Sequence, residues 1–466
     1  GALITFMKQQ RFDGKIGESV TFPTFTFSVS KDFKTKHIAV LGLGDRKTCT
    51  ADTVRTVGGH LVKLAERVNA KTVATILHGA EIDGLNVSES SQALIEGVLL
   101  SDYRFHAFHG TKRKGETPRA HLSTLMIAET NRRAYARAQE GIARGRILAE
   151  ATTYARDLVN TPSSHMTPRH LADEAKRLAG NNITVKIMDE KDMERKKMTA
   201  ALAVARGSQH PPFAVHLVYR PRSAKKKIAI VGKAVTFDSG GLSLKPAEHM
   251  ETMKCDMGGA ATVLGLFRAL KFLTPDVEVH GIFLAVENMP SGAAYRPGDV
   301  VTAKNGMTIE IRNTDAEGRV TLADALSYAA DLKPDAIIDL ATLTGACVVA
   351  LGEEVAAVYA TNDKLAERLV EAGKDVGEPL WRMPLVDAYN QHIASQIADL
   401  KNTGAHGGGS ITAALFLKNF VGSIPWAHLD IAGPAYTERE TRSDQPYGAS
   451  GYGVRLLAKY LMERKY

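Results

Sequence analysis

Apolar and polar residues recur along this chain with two different periods, which predict strands and helices. In the first part of the chain, short apolar runs predict β-strands at 37–41, 72–77 and 123–127. The segments between them, at about 51–68 and 88–101, have the spacing of amphipathic helices. Strands that alternate with helices predict a small three-layer α/β domain within residues 1–130. Because this region has no clustered Asp, Glu, His or Cys set that would serve catalysis, we expect its role to be scaffolding or assembly.

A single long helix is predicted for residues 131–159, which are rich in Ala and Arg and contain no proline. Ala138, Ile142, Gly145 and Ala149 recur there at helical spacing. The sequence Asn-Thr-Pro at 160–162 is typical of a helix end. We therefore expect this helix to link two domains.

The remaining residues, 160–466, show apolar strands and amphipathic helices in alternation. Strands are predicted at about 183–188, 213–219, 227–232, 277–287 and 335–341, and helices at about 258–273 and 320–332. This order indicates a mostly parallel central sheet flanked by helices, with functional side chains at the strand ends. The predicted fold class is therefore α/β, with a smaller N-terminal α/β domain joined by a long helix to a larger α/β domain.

Composition narrows the functional classes. The 466 residues are 44% apolar and 24% charged, which suits two globular domains. No apolar run is long enough to cross a membrane, and no signal peptide is visible at the start of the sequence, so a cytoplasmic location is expected. Three scattered cysteines suit a reducing compartment and exclude a thiolate metal site, so any metal must use oxygen or nitrogen ligands.

The net charge of +8 comes from short basic clusters such as those at 112–114 and 225–227. We interpret these clusters mainly as solvated surface. If several met on one face of an oligomer, they could bind a polyanion such as DNA, and this hypothesis stays open.

The segment 313–319 reads NTDAEGR and carries two carboxylates and a guanidinium. It lies between a predicted strand at 308–312 and a predicted helix, and turns of this kind carry active sites in α/β folds. Asp315 and Glu317 can lean toward one cation on an extended turn. The alternative is an ordinary helix start, where acidic residues are favoured by the helix dipole.

Two upstream segments bear on this choice, VGKAVTFDSGGLSLKP at 231–246 and MKCDMGGA at 253–260. Together with NTDAEGR they resemble the leucyl (cytosol) aminopeptidase family, whose patterns are VGKGxTFDxGGLxLKP, MKxDMGGAA and NTDAEGRL. The resemblance covers most of residues 155–466 and very little before them. It implies that residues 160–466 form a catalytic peptidase domain and that the chain assembles as a homo-hexamer.

Asp238, Asp256, Asp315 and Glu317 are four carboxylates that cannot share a pocket without positive charge. Two divalent cations would balance them, and oxygen ligands favour Mn, Zn or Mg. The resemblance implies that Asp238 and Glu317 bridge both metals, that Asp315 completes one site, and that Asp256 and the amine of Lys233 complete the other. The alternative for Lys233 is a salt bridge with Asp238.

The resemblance also implies roles for two further cations. Lys245 would stabilise the oxyanion formed when a water between the metals attacks an amide. Arg319 keeps its proton at physiological pH and therefore cannot act as a general base. The resemblance implies that it holds a bicarbonate ion that shuttles the proton, as the equivalent arginine does in the family. A structural salt bridge is the alternative for Arg319. Met253, Gly345 and Ala432 match positions that line the family's pocket for the leaving residue, although each also suits ordinary core.

The predicted function is a metal-dependent aminopeptidase that removes an N-terminal residue, with a preference for residues such as Leu or Met, from peptide substrates. Two other hypotheses remain. One is a different two-metal hydrolase, for instance one that acts on phosphate esters. The other is a DNA-binding role of the basic surface.

Overall fold

The structure is a computed structural model that describes residues 2–24, 35–80, 85–110, 121–180, 182–404 and 407–463. It divides into two compact units, and the boundary falls after Glu150, within the helix Arg132–Asn160. The segment Arg439–Pro446 belongs to the first, smaller unit. The predicted fold class is confirmed: a smaller α/β domain is joined by a long helix to a larger α/β domain with a mostly parallel sheet.

The smaller unit contains two two-stranded sheets and several helices among its described residues. Its strands are Ser19–Pro23, paired antiparallel with His37–Leu41, and Thr72–Ile76, paired parallel with Thr124–Ala128. Its helices are Ala2–Gln9, Ala51–Arg67, Val87–Ser101 and the first part of Arg132–Asn160, with a 3-10 turn at Arg46–Thr48. The three strands predicted from sequence are present, but the first pairs with a strand, Ser19–Pro23, that the apolar pattern did not reveal.

Two helices form the core of the smaller unit. Ala51–Arg67 starts with a capping box of Thr50 and Thr53, and Val87–Ser101 starts with a capping box formed by Asn86 and Glu89. The helices pack so closely that a Cβ on Gly97 would lie 1.9 Å from the carbonyl oxygen of Arg55. Only glycine allows this approach of two backbones.

The larger unit is built on an eight-stranded sheet. In spatial order, its strands are Leu380–Arg382, Ala356–Ala360, Trp426–Asp430, Ala336–Ala341, Lys227–Asp238, Glu278–Asn288, Phe213–Tyr219 and Ile183–Met188. The third to sixth strands in this order are mutually parallel, so their carboxyl ends meet at one edge of the sheet. Antiparallel pairings occur only toward the two sides of this parallel centre.

Helices cover the sheet of the larger unit and short strands extend it. The helices are Pro168–Arg177, Glu190–Arg195, Thr199–Ala205, Gly258–Leu273, Glu317–Asp331, Gly345–Leu351, Asp363–Val376, Gly409–Lys418 and Val454–Met462, with 3-10 turns at Ala247–His249, Met253–Met257 and Asp387–His392. A three-stranded sheet has the spatial order Leu400–Lys401, Thr308–Glu310 and Val300–Thr302. A two-stranded sheet consists of Tyr436–Thr437 and Gly448–Ala449.

Two predicted boundaries were wrong in ways that matter for the site. The strand predicted at 227–232 continues to Asp238, because the residues that follow remain buried in the sheet. The helix predicted from 320 begins at Glu317, so Glu317 and Arg319 lie in its first turn. Both changes place chemically active side chains directly on regular elements, which position them more rigidly than loops do.

The structure shows where several features noted in the sequence lie. In the part of the chain that the structure describes, no helix has both the length and the apolar character of a membrane span. All three cysteines are buried, and none of them forms a disulfide in the described part of the chain. In the basic cluster at 225–227, Lys226 forms an ion pair with Asp335 at 2.9 Å. The cluster at 112–114 lies outside the described residues.

Replacing Gly97 with Ala should destabilise the smaller unit, because the new Cβ would overlap the backbone of the facing helix. We expect a loss of about 1–3 kcal/mol, the usual cost of overpacking. Hydrogen exchange of the full chain should show faster exchange across residues 51–101. Gly110→Ala is the matched control, since nothing lies within 4 Å of a Cβ there. Equal protection in both variants would contradict this close helix packing.

Candidate active site

Three carboxylates meet at the carboxyl edge of the parallel strands. Asp238 ends its strand, Asp315 lies in the turn after Thr308–Glu310, and Glu317 begins the following helix. One carboxylate oxygen from each lies within 4.8 Å of the others. The structure thus brings together residues that are up to 79 positions apart in the sequence.

Lys233 and Asp256 join this cluster from the buried side. The Lys233 ammonium lies 2.7 Å from Asp256 Oδ1 and 2.8 Å from Glu317 Oε1. It also donates to the carbonyl oxygen of Thr342 at 3.0 Å. The alternative salt bridge that the sequence suggested was with Asp238, whereas the observed partners of Lys233 are Asp256 and Glu317.

Lys245 closes the cluster on its more open side. Its ammonium lies 2.9 Å from Asp238 Oδ2 and 2.5 Å from Asp315 Oδ1. Each of the two lysines therefore bridges two carboxylates. All of the predicted ligands, together with Lys245, form one connected group.

Burial and charge shift the pKa values of these groups. Burial, reinforced by Asp238, raises the pKa of the Asp256 carboxyl to about 6, against the opposing effect of Lys233. Burial and Asp238 also hold the pKa of Glu317 well above its usual value. Burial works against the Lys233 ammonium, but the surrounding carboxylates outweigh it and raise its pKa. The Lys233 ammonium therefore keeps its proton at neutral pH.

The donor set suits divalent cations. Two carboxylate oxygens, Asp256 Oδ2 and Glu317 Oε2, are buried and accept no hydrogen bond within the described ranges. Buried polar atoms are normally paired, so an unpaired carboxylate oxygen indicates a partner that is not a protein atom. Oxygen-rich sites of this kind favour hard or borderline divalent ions.

Arg319 lies in the first turn of the helix that begins at Glu317 and is almost entirely buried. Burial lowers the pKa of its guanidinium to about 10, although Glu317 and Asp430 partly oppose this effect. Its Nε–H donates no hydrogen bond to any described residue. The alternative from the sequence was that Arg319 forms a structural salt bridge. Among the described residues, Arg319 forms no ion pair that would support it.

Several supporting residues were missed by the sequence analysis. Asn288 donates to Asp238, Thr342 donates to Asp256, and Tyr295 and Asn402 donate to backbone oxygens of the 313–316 turn. Asn288 is the last residue of a strand, and Thr342 and Asn402 each directly follow one. A buried polar residue after a predicted strand was the available signal, but the sequence does not reveal which carboxylate it contacts.

The predicted substrate-pocket residues lie on three separate segments. Met253 is half-buried and precedes Asp256, Gly345 is exposed at the start of a helix, and Ala432 donates its N–H to Asp430. Asp430 also accepts from the backbone of Leu343, which brings two of these segments together. A cavity of about 660 Å³ lies elsewhere, and none of the candidate ligands lines it.

Comparisons with known proteins agree with this geometry. The sequence profile of the cytosol aminopeptidase family, catalytic domain, matches residues 153–458, and the profile of that family's N-terminal domain matches residues 1–112. A probable cytosol aminopeptidase of Persephonella marina is 44% identical over all of this chain and 92% of its own length. Another, from Aquifex aeolicus, is 45% identical over 97% of this chain and 89% of its own length.

Solved structures with the same fold point in the same direction. The bottromycin maturation enzyme BotP in complex with Mn superposes with a TM-score of 0.87 at 37% identity, covering 98% of this chain and 95% of that chain. A mutant of tomato leucine aminopeptidase gives a TM-score of 0.87 at 38% identity, covering 100% of this chain and 87% of that chain. The chain belongs to the cytosol aminopeptidase family and is a metal-dependent exopeptidase of the leucine aminopeptidase type.

Proposed function

We propose that this chain removes the N-terminal residue from peptides by using two divalent metal ions, and that Lys233, Asp238, Asp256, Asp315 and Glu317 hold them. The observation that carries the proposal is that Asp256 Oδ2 and Glu317 Oε2 are buried and accept no hydrogen bond from a described residue, in a cluster where two lysines each pair with two carboxylates. We propose Mn or Zn as the metal, with Mg as an alternative. When bound, such ions acidify water and polarise an amide carbonyl.

Lys245 has the properties of an electrophile. Its ammonium is held at the open side of the cluster by Asp238 and Asp315, and these carboxylates raise its pKa although burial opposes them. It therefore stays charged throughout the neutral range. A charged donor fixed beside the reacting carbonyl would stabilise the developing oxyanion more than the ground state.

Arg319 is proposed to hold a small anion such as bicarbonate, which would supply a base near the cluster. The burial of Arg319 supports this role, and so does its Nε–H, which has no acceptor among the residues that the structure describes, because a buried guanidinium has a strong requirement for an acceptor. Arg319 itself cannot accept a proton from water at neutral pH.

The substrate is proposed to be a peptide with a free α-amine and an apolar first residue such as Leu or Met. A neutral amine can bind a cation, while an internal peptide bond offers no such group. Met253, Gly345 and Ala432 remain the proposed contacts of the leaving side chain. We also propose a homo-hexamer and a cytoplasmic location, in keeping with the family.

The function is tested by hydrolysis of Leu-p-nitroanilide after chelation and after addition of Mn²⁺, Zn²⁺ or Mg²⁺ separately. We expect activity to be lost with the metal and restored by at least one ion. N-acetyl-Leu-p-nitroanilide is the matched substrate, and it should be cleaved very poorly because its amine is blocked. Equal cleavage of both substrates would rule out the aminopeptidase proposal.

The ligand assignment makes a separate prediction about metal content. Asp238→Ala and Glu317→Ala should each disturb both metal sites, whereas Asp256→Ala and Asp315→Ala should chiefly disturb one, because the first two are assigned to both ions. Metal per chain after dialysis measures this, with circular dichroism as the check on folding. Lys245→Met is the control: it should keep both metals while turnover falls by about 10²–10³. Two retained metals with substantial activity in either Asp238→Ala or Glu317→Ala would falsify the bridging assignment.

Gly318 supplies an independent test of Lys233. A Cβ on Gly318 would lie 2.5 Å from Lys233 Cε and 2.6 Å from Lys233 Nζ, so the lysine must move. Alanine is the better helix former by about 1 kcal/mol, and Gly318 lies in a helix, so the backbone itself should tolerate the change. We therefore expect Gly318→Ala to fold normally but to bind Mn²⁺ at least about tenfold more weakly. Wild-type Mn²⁺ affinity would argue against Lys233 as a ligand.

A further inference from the structure

Asn288 is a fully buried amide placed between the two chain segments that carry Asp238 and Asp315. It ends the strand Glu278–Asn288 and lies opposite Asp238 in the strand register. Its Nδ2 donates to Asp238 Oδ1 at 2.8 Å and to the carbonyl oxygen of Thr314 at 2.9 Å. One side chain thus contacts a proposed ligand and the residue before another.

The orientation of this amide is fixed by its neighbours. Asp238 Oδ1 and the Thr314 carbonyl are both acceptors, so only the NH₂ group of Asn288 can face them. The opposite atom, Asn288 Oδ1, accepts no hydrogen bond in the described part of the chain. A Cβ on Gly241 would lie 2.8 Å from that oxygen, so the absence of a side chain on Gly241 leaves room for the amide.

The hydrogen bond from Asn288 restricts what Asp238 can offer. Asp238 Oδ1 also accepts the N–H of Gly240 at 2.9 Å, so two donors hold this oxygen. Asp238 Oδ2 accepts neither and faces the Lys245 ammonium at 2.9 Å. The amide therefore turns one oxygen of the carboxylate toward the protein and leaves the other for the cluster.

The second hydrogen bond ties the strand ends to the Asp315 turn. The Thr314 carbonyl also accepts the Tyr295 hydroxyl at 2.9 Å, while Thr314 Oγ1 donates to the carbonyl oxygen of Gly240 at 2.6 Å. Among the described residues, Tyr295 donates a hydrogen bond to the turn and none to Asp238. Of the two side chains that donate to this carbonyl, only Asn288 also donates to the Asp238 carboxylate.

We propose that Asn288 is a positioning residue that orients the Asp238 carboxylate and fixes its spacing from Asp315. It acts through Asp238 rather than on the substrate. The inference rests on the proposed function, because it takes Asp238 to be a metal ligand. Residues that hydrogen-bond to metal ligands commonly change metal affinity by 10–100-fold when they are replaced.

The test compares Asn288→Leu with Tyr295→Phe in the full-length chain, using Mn²⁺ affinity from equilibrium competition with a chelator. Asn288→Leu keeps the side-chain size but removes both donors. Tyr295→Phe removes a donor to the same Thr314 carbonyl and keeps the hydrogen bonds from Asn288 and Gly240 to Asp238. We expect a ten- to hundredfold loss of Mn²⁺ affinity in the first variant and a much smaller loss in the second. Asn288→Ala is the second variant if Asn288→Leu folds poorly by circular dichroism.

A double variant distinguishes positioning from a general effect on folding. If Asn288 acts through Asp238, adding Asn288→Leu to Asp238→Ala should weaken Mn²⁺ binding no further than Asp238→Ala alone. Additive losses, or equal losses in Asn288→Leu and Tyr295→Phe, would overturn the positioning role. Wild-type Mn²⁺ affinity in both Asn288 variants would also overturn the positioning role. If Asp238→Ala still lost metal in that case, the proposed function would stand. Full metal binding by Asp238→Ala would overturn the ligand assignment and this inference together.

Discussion

Mutual repulsion among buried carboxylates is the constraint that organises this active site. Asp238, Asp256 and Glu317 are almost completely buried, and Asp315 lies beside them. Like charges this close in a medium of low dielectric cannot all remain ionised without cations. The structure meets this requirement with two lysines, each placed between two carboxylates, and with raised pKa values for Asp256 and Glu317. Divalent ions would meet the same requirement, so protons and metals compete for one group of atoms.

The parallel strands of the larger unit bring these charged side chains close together. Neighbouring strands end together, which places Asp238 beside Asn288 and brings the segments that follow Ala341 and Asp430 to the same edge. The first turn of the helix Glu317–Asp331 then delivers both a carboxylate and a guanidinium. Buried amides and hydroxyls form hydrogen bonds to the turns that carry these side chains. The side chains therefore keep defined positions although their charges repel one another.

The sequence predicted the regular elements better than the contacts between them. Apolar periodicity located the strands Phe213–Tyr219 and Ile183–Met188 and the helix Gly258–Leu273, because buried elements impose their period on the sequence. The partners of Lys233 could not be predicted in this way, because they depend on where a strand, a 3-10 turn and a helix start meet in space. The return of Arg439–Pro446 to the smaller unit was missed for the same reason: Arg442 forms an ion pair there with Asp52, nearly 400 residues away.

The competition between protons and metals can be measured directly. Titration of Mn²⁺ into the metal-free protein by calorimetry at pH 7, in buffers with different ionisation enthalpies, gives the number of ions bound and the protons released. We expect two ions per chain with release of about one proton or more, since Lys233 must lose its proton to act as a ligand and the raised pKa values of Asp256 and Glu317 add to the release. Binding of two ions without proton release, or no binding of a second ion, would contradict a two-metal site in which metals displace protons.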